Sequence, residues 1–263
     1  EDLCSVWVRD AGESYADWRA GGSFAIVPFE IALAVLGYCF QTIKSDETKY
    51  VLAWFQTERR LREEGRLPSW KTAGQFFSGF GERSTCYGSR LKAWSVDQVF
   101  FEELCKFFPD VKTRDQLPFS SMPFAIGTHS VKSSITRKGD HLLTACYLAI
   151  LILTGIRHSE ASGMARDAFE KEGADYIFAS NIEKTNYGVV TERHVSAAVA
   201  DFIDVLDGLG GVSLACERRK ELFSYFRYSF NSQNQPVYSL SKNAINVTMQ
   251  VNSFYEIFLD GQG

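Results

Sequence analysis

The sequence lacks the cysteine and histidine patterns of a metal site or of a disulfide framework. Its six cysteines are widely scattered, no two of them form a Cys-x-x-Cys pair, and none lies in a cluster with histidine at the spacing of zinc ligands. This distribution is typical of reduced thiols in a cytoplasmic protein. We therefore expect no bound metal and no cofactor.

An apolar run long enough to cross a bilayer is also missing. The stretch from Leu142 to Leu153 is interrupted only by Thr144, but it is shorter than the roughly 20 residues that a spanning helix needs. It predicts a buried core helix. Phe24 to Phe40 is apolar too, yet it contains Pro28 and Glu30 and follows no basic region, which argues against a secretion signal. We expect no membrane association.

The chain has no excess of positive charge. Its formal net charge is -4, which counts against a nucleic-acid partner, because clustered Lys and Arg normally supply most of the affinity for DNA through counterion release. Local groups of basic residues do occur, at Arg59, Arg60, Arg62 and Arg66, at Arg83, Arg90 and Lys92, and at Lys132, Arg137 and Lys138. Such groups are typical of solvated helix faces, and a DNA surface is the alternative.

Apolar residues are abundant. They make up 45% of the 263 residues and include 21 Phe, 11 Tyr and 5 Trp, which is ample material for a folded core. The length allows one large domain or two smaller ones, and we favour two. Pro118, Pro123 and Gly127 interrupt the pattern between Asp110 and Gly139, so we predict domains over residues 1–118 and 119–263.

Helical periodicity dominates the first of these domains. Apolar residues recur at helical spacing in Phe29 to Thr42, Glu47 to Glu64, Ser69 to Phe80 and Val96 to Phe108. Ser45 or Asp46 is a candidate N-cap of the second helix, and Gly65 and Pro68 are expected to end it.

The second domain is predicted to contain both helices and strands. The apolar helix ends at Leu153, Gly155 breaks it, and a helix from Ser159 to Ala168 follows. Alternating segments at 175–179, 181–185 and 189–195 predict strands, and Asn186-Tyr187-Gly188 is a plausible hairpin turn between the last two. Helices are expected again at 197–209 and 241–259. The predicted fold class is mainly α with a small antiparallel β-sheet.

The segment most informative about chemistry is Thr154-Gly155-Ile156-Arg157-His158-Ser159-Glu160. Gly155 lets the chain leave the buried helix through a conformation that a Cβ would resist. The guanidinium of Arg157 is always charged and offers a planar fork of donors that matches two phosphate oxygens. An apolar helix, Thr-Gly-x-Arg-x-Ser-Glu, a short helix and a hairpin with a lysine, in this order, resemble the catalytic domain of tyrosine site-specific recombinases, the phage-type integrases.

This resemblance implies roles for three residues. Arg157 would clamp the scissile phosphate, Lys184 in the hairpin would donate a proton to the departing 5′ oxygen, and Glu160 would orient an arginine or a neighbouring imidazole. The alternative is a surface Arg/Glu pair at i, i+3 spacing and a solvated lysine near a turn. His158 follows Arg157 directly, and we expect it to be structural or a minor contact.

The sequence departs from the recombinase pattern after the hairpin. The resemblance implies a later His-x-x-Arg, another His or Trp, and the tyrosine that attacks phosphorus, but the last histidine, His194, is followed by Val195, Ser196 and Ala197. We expect the chain to stop before the His-x-x-Arg motif and the nucleophilic Tyr, and to be unable to cleave DNA. Tyr255 is interpreted as a packing residue.

The resemblance also implies a partner, double-stranded DNA. The parent protein would break and rejoin DNA through a 3′-phosphotyrosyl intermediate, as a tetramer on paired sites, whereas this fragment would be a monomer. By position alone, residues 1–118 correspond to the core-binding half of a clamp around DNA, with a helical, core-binding-like fold. Candidate phosphate contacts are Arg60, Lys71, Arg90, Lys92 and Lys132. Alternatives are a non-catalytic DNA-binding or accessory protein on the recombinase scaffold, and a helical protein with an accidental match.

Overall fold

The computed structural model of the chain describes residues 28–66, 98–113, 116, 135–173, 175–181, 190–210, 221–230, 236–240 and 251–260. Helices predominate, and the strands form small antiparallel sheets, which confirms the predicted fold class. The helices are α1 (Phe29–Lys44), α2 (Asp46–Glu63), α3 (Gln98–Cys105), α4 (Ile135–Thr154), α5 (His158–Ser162), α6 (Val199–Gly210) and α7 (Asn252–Asp260). The strands are β1 (Phe169–Glu172), β2 (Asp175–Asn181), β3 (Val190–Val195), β4 (Phe226–Phe230) and β5 (Pro236–Leu240).

Helices α1 to α3 follow the predicted pattern. Ser45 caps α2, since its hydroxyl accepts a hydrogen bond from the Thr48 N–H at 3.1 Å, and Gly65 leaves the helix with φ at +68°. The candidate N-cap and the glycine stop are therefore confirmed. The predicted helix from Ser69 to Phe80 lies outside the described residues.

Helix α4 forms the centre of the core. Its residues Leu142, Leu143, Ala145, Cys146, Ala149 and Ile150 are buried, and it packs against α1, α2, α6 and α7. A buried helix was predicted here, and α4 begins seven residues before Leu142, at Ile135. No helix in the described ranges combines the length and the apolar content needed to cross a bilayer.

Helices on both sides of residue 118 share this core. Buried residues of α1, α2 and α3 belong to the same hydrophobic cluster as those of α4 and α6. Gly139 shows how close the packing is, because a Cβ there would lie 2.9 Å from Cε2 of Phe55 on α2. The predicted division at 118 stays a prediction, and the described helices before and after it do not form separate cores.

The chain after α4 corrects the predicted helix from Ser159 to Ala168. Helix α5 ends at Ser162, a 3-10 turn covers Arg166–Ala168, and β1 begins at Phe169. The backbone leaves the helix because other partners bind it. The Met164 carbonyl accepts from the Leu222 N–H at 2.8 Å, and Ala165 forms a β-bridge with Glu221.

Strands β1, β2 and β3 form an antiparallel sheet in sequence order. The strand that pairs with β3 is Asp175–Asn181, with Asn181 opposite Val190, whereas the sequence predicted that 181–185 would pair with it. The predicted turn at Asn186-Tyr187-Gly188 lies outside the described residues. Phe178 is buried and stacks on Phe169 of β1, which attaches the sheet to the core. The hairpin formed by β4 and β5 was not predicted.

Arg166 joins three segments of the chain beside the sheet. Its guanidinium donates to Oδ1 of Asp207 at 2.7 Å and to the Leu206 carbonyl at 3.3 Å on α6, and to the Ser224 carbonyl at 2.9 Å. The cation thus binds one carbonyl and one carboxylate near the C-terminal end of α6, where positive charge is favourable. Gly210 leaves room for it, because a Cβ there would lie 2.5 Å from the Ser224 oxygen and closer still to Arg166 Nη2.

We expect opposite effects from alanine at two helical glycines. Gly210→Ala should destabilise the protein by about 1–3 kcal/mol, since the Arg166 bridge must shift. Gly37→Ala, on an exposed face of α1 with no atom within 4 Å of the added Cβ, should stabilise it by about 0.5–1 kcal/mol through helix propensity. Urea unfolding of both variants measures the difference, and equal effects would contradict this account of Gly210.

His141 lies between α1 and α7. Its Nε2 is 3.3 Å from the Tyr38 hydroxyl, and its ring stacks on Phe254 with 4.9 Å between centroids. Burial lowers the pKa of His141 to about 4, and the nearby charge of Lys138 adds to the effect. The imidazole is therefore neutral in the folded protein at neutral pH.

Stability should consequently fall as the pH falls from about 6.5, the ordinary pKa of histidine, to about 4. In that window the unfolded chain binds a proton that the folded protein does not, which costs up to about 3 kcal/mol at the acid end. His141→Gln should remove this part of the pH dependence. His194→Gln, which removes an exposed imidazole on β3, is the matched control. Unfolding free energies of the three proteins from pH 4 to 7 test the assignment, and parallel curves for wild type and His141→Gln would refute it.

Candidate functional site

The candidate site begins where the chain leaves α4. The helix ends at Thr154, and Gly155 adopts a φ of +66°, in the left-handed region. Its N–H donates to the Leu151 carbonyl at 2.9 Å, which closes the last turn of the helix. The predicted role of Gly155 as the residue that turns the chain out of the core is confirmed.

Arg157 lies at the surface on an anchored backbone. Ile156 before it is buried, and the Arg157 carbonyl accepts hydrogen bonds from the N–H groups of Glu160 and Ala161, both at 3.0 Å. The side chain is exposed, and its guanidinium has no hydrogen-bond or ion-pair partner among the described residues. The fold thus fixes the backbone position of Arg157 and leaves its cationic side chain, within the described part of the chain, available to an anion.

Among the described residues, Glu160 makes no hydrogen bond or ion pair with an arginine or an imidazole. It lies one turn after Arg157 and is half-buried, and its Oε2 is buried without a hydrogen-bond partner in the part of the chain that the structure describes. Within that same part, no hydrogen bond or ion pair joins Glu160 to Arg157 or to His158. The surface Arg/Glu pair that was the alternative is not formed either.

Tyr147 orients the imidazole instead. Its hydroxyl is hydrogen-bonded to Nδ1 of His158, and the two rings meet edge to face with 5.9 Å between centroids. Tyr147 is buried in α4, and the ring of Phe223 packs edge to face against it with 5.1 Å between centroids. This contact joins two helices through side chains 11 residues apart, so no local pattern in the sequence could have predicted it.

Most other candidates lie outside the described residues. This holds for Lys184 and for the predicted DNA contacts Lys71, Arg90, Lys92 and Lys132, whose roles stay predictions. Lys184 does belong to the connection between the paired strands β2 and β3.

Arg60 takes part in an ion-pair cluster. Its guanidinium binds the carboxylate of Glu103 on α3, which also binds the guanidinium of Arg66 at 3.0 Å and the ammonium of Lys106 at 2.8 Å. The hydrogen bond from Lys106 is the largest cause that holds the pKa of Glu103 below its usual range, and Arg66 adds to it. The charge of Arg60 is therefore partly balanced within the protein, and its predicted role in DNA binding stays a prediction.

Among the described residues of the site, Arg157 can bind an anion, but none of them is identified as a nucleophile. Tyr255 packs against the core, as expected, and burial raises its pKa, which keeps the phenol protonated at neutral pH. No group of three His, Cys, Asp or Glu side chains within the described ranges is arranged to hold a metal ion.

The left-handed backbone conformation at Gly155 should tolerate a Cβ poorly. Gly155→Ala should destabilise the protein by about 1–2 kcal/mol, because a Cβ disfavours this conformation although no atom lies within 4 Å of it. Gly163→Ala is the matched control, since Gly163 has equally open surroundings and a φ of -104°. Thermal unfolding of the two variants should separate them, and equal melting temperatures would refute the backbone argument.

Comparison of the chain with models of protein families, with curated protein sequences and with solved structures finds no significant match. The resemblance to tyrosine recombinases therefore stays a hypothesis that rests on the residues of this chain and on the order of its elements.

Proposed function

We propose that this chain binds double-stranded DNA as part of a tyrosine-recombinase-type protein, and that Arg157 contacts a backbone phosphate. The observation that carries the proposal is the exposed side chain of Arg157, whose guanidinium has no partner among the described residues. Its backbone is held by the buried Ile156 before it and by the hydrogen bonds that its own carbonyl accepts. A phosphodiester offers the pair of anionic oxygens that this fork of donors matches.

The order of the elements supports the recombinase type in particular. A buried helix, a left-handed glycine, the exposed arginine, a short helix and an antiparallel sheet follow one another. Lys184, in the connection between β2 and β3, would act as the general acid on the 5′ oxygen. The second phosphate-binding arginine and the nucleophilic tyrosine would belong to the parent protein rather than to this segment.

Arg157→Ala should weaken binding to a fluorescein-labelled duplex of about 30 base pairs by roughly 10-fold, the value of one charge-assisted contact. It should also reduce the slope of log affinity against log salt by about one unit, since one phosphate contact is lost. Fluorescence anisotropy at several salt concentrations measures both quantities.

Lys49→Ala is the matched control, because it removes one exposed positive charge, which pairs with the exposed Asp46 at the start of α2. It should leave the affinity close to that of wild type. Equal binding by Arg157→Ala and wild type, or no salt-dependent binding by either, would refute the proposal. Denaturing gels with a nicked suicide substrate should show no covalent adduct with this chain, and an adduct would contradict the expected absence of the nucleophile.

A non-catalytic DNA-binding role predicts the same anisotropy results. A longer chain from the parent gene separates the two functions, because only a recombinase would supply the His-x-x-Arg and the tyrosine and form a covalent adduct.

A further inference from the structure

The hydrogen bond between Tyr147 and His158 determines what the imidazole can offer to a ligand. Tyr147 is 2% exposed, and its hydroxyl has no other hydrogen-bond partner among the described residues. Burial raises the pKa of Tyr147 to about 12, so the phenol is protonated at neutral pH. The pair therefore contains a hydroxyl proton that must find an acceptor.

The direction of the bond follows from this requirement. If Nδ1 carried a proton and donated it to Tyr147, the buried hydroxyl hydrogen would have no acceptor among the described residues, and an unpaired buried donor is costly. The stable arrangement has the Tyr147 hydroxyl donating to an unprotonated Nδ1. The neutral imidazole then carries its proton on Nε2.

His158 thus has one polar function left, an Nε2–H donor on an exposed residue. Its ligand must be a hydrogen-bond acceptor. The neighbouring residue is Arg157, whose free guanidinium favours an anion. Arg157 is the N-cap residue of α5, with φ at -78° and ψ at 153°, and His158 is the first residue of that helix. The two side chains are therefore carried by adjacent residues at the start of α5.

We propose that His158 is a second phosphate-binding residue beside Arg157, with Nε2–H as the donor and Tyr147 as its positioning residue. The inference rests on the proposed function and extends it by naming a further contact to the DNA backbone. A non-bridging phosphate oxygen fits both donors, because it is anionic and accepts more than one hydrogen bond. His158 donates to the phosphate bound by Arg157 or to the next one on the same strand.

The tautomer can be tested without DNA. Long-range nitrogen-proton NMR spectra of the chain labelled with ¹⁵N-histidine should show His158 with its proton on Nε2. In Tyr147→Phe, which removes only the hydroxyl, the two tautomers should become mixed. A proton on Nδ1 in the wild type, or an unchanged tautomer in Tyr147→Phe, would overturn the positioning role.

The phosphate contact is tested with the same labelled duplex. His158→Leu should weaken binding about 2- to 10-fold, the value of one neutral hydrogen bond. His158→Gln, whose side-chain amide can donate from a position near Nε2, should retain most of the affinity. Tyr147→Phe should weaken binding less than His158→Leu does.

These outcomes separate the two claims. If Arg157→Ala weakens binding and His158→Leu binds like wild type, the inference about His158 fails alone. If the wild type shows no salt-dependent binding, both fail. Circular dichroism melting of each variant confirms that it is folded, and a loss of affinity in His158→Leu that His158→Gln shares in full would refute donation from Nε2.

Discussion

The burial of α4 is the constraint on which the rest of the structure depends. This helix has α1, α2, α6 and α7 packed around it, so the other elements take their positions from it. A buried helix must end with its carbonyls satisfied, because unpaired polar groups in a core are costly. The Leu151 carbonyl is satisfied by the N–H of Gly155, whose left-handed conformation also turns the chain outward. Ile156 returns to the core, and Arg157 is the next residue. The exposure of the guanidinium is thus a direct consequence of how α4 ends.

The turn after α4 is held in place by a segment far away in sequence. Residues 221–225 bind it at three points. Glu221 forms a β-bridge with Ala165, Leu222 donates to the Met164 carbonyl, and the Ser224 carbonyl accepts from Arg166. Each contact is modest in energy, and together they replace the helix that the local sequence favours between Ser162 and Ala168. A site built on such a turn keeps its geometry through tertiary contacts rather than through the propensity of its own residues.

The features that the sequence predicted well are those that depend on local physics. The serine cap at Ser45, the glycine stops at Gly65 and Gly155 and the apolar character of α4 all follow from neighbouring residues. The start of α4 at Ile135 was missed because Gly139, Asp140 and His141 make that turn look polar. In the fold these residues are covered, since Asp140 accepts from the Tyr225 hydroxyl and Gly139 faces Phe55. The bridge formed by Arg166 joins distant segments, and the contact of Tyr147 with His158 joins two helices across 11 residues, so no spacing within a single element encodes either of them. The exposure of Arg157 was predictable, whereas the lack of a contact with Glu160 was not.

The distribution of charge limits how the proposed binding of DNA could be achieved. With a formal charge of -4, the chain gains little from long-range attraction to phosphates. The cations near the end of α2 do not change this, because Arg60 and Arg66 converge with Lys106 on Glu103, and Arg62 binds Glu58. A carboxylate that already holds three cations must release one of them before that cation can bind a phosphate, and this costs part of the affinity gained. Arg157 needs no such exchange among the described residues. Under the proposed function, the affinity for DNA would therefore depend on a few short-range donors at one turn, with a weaker dependence on salt than a basic groove would give.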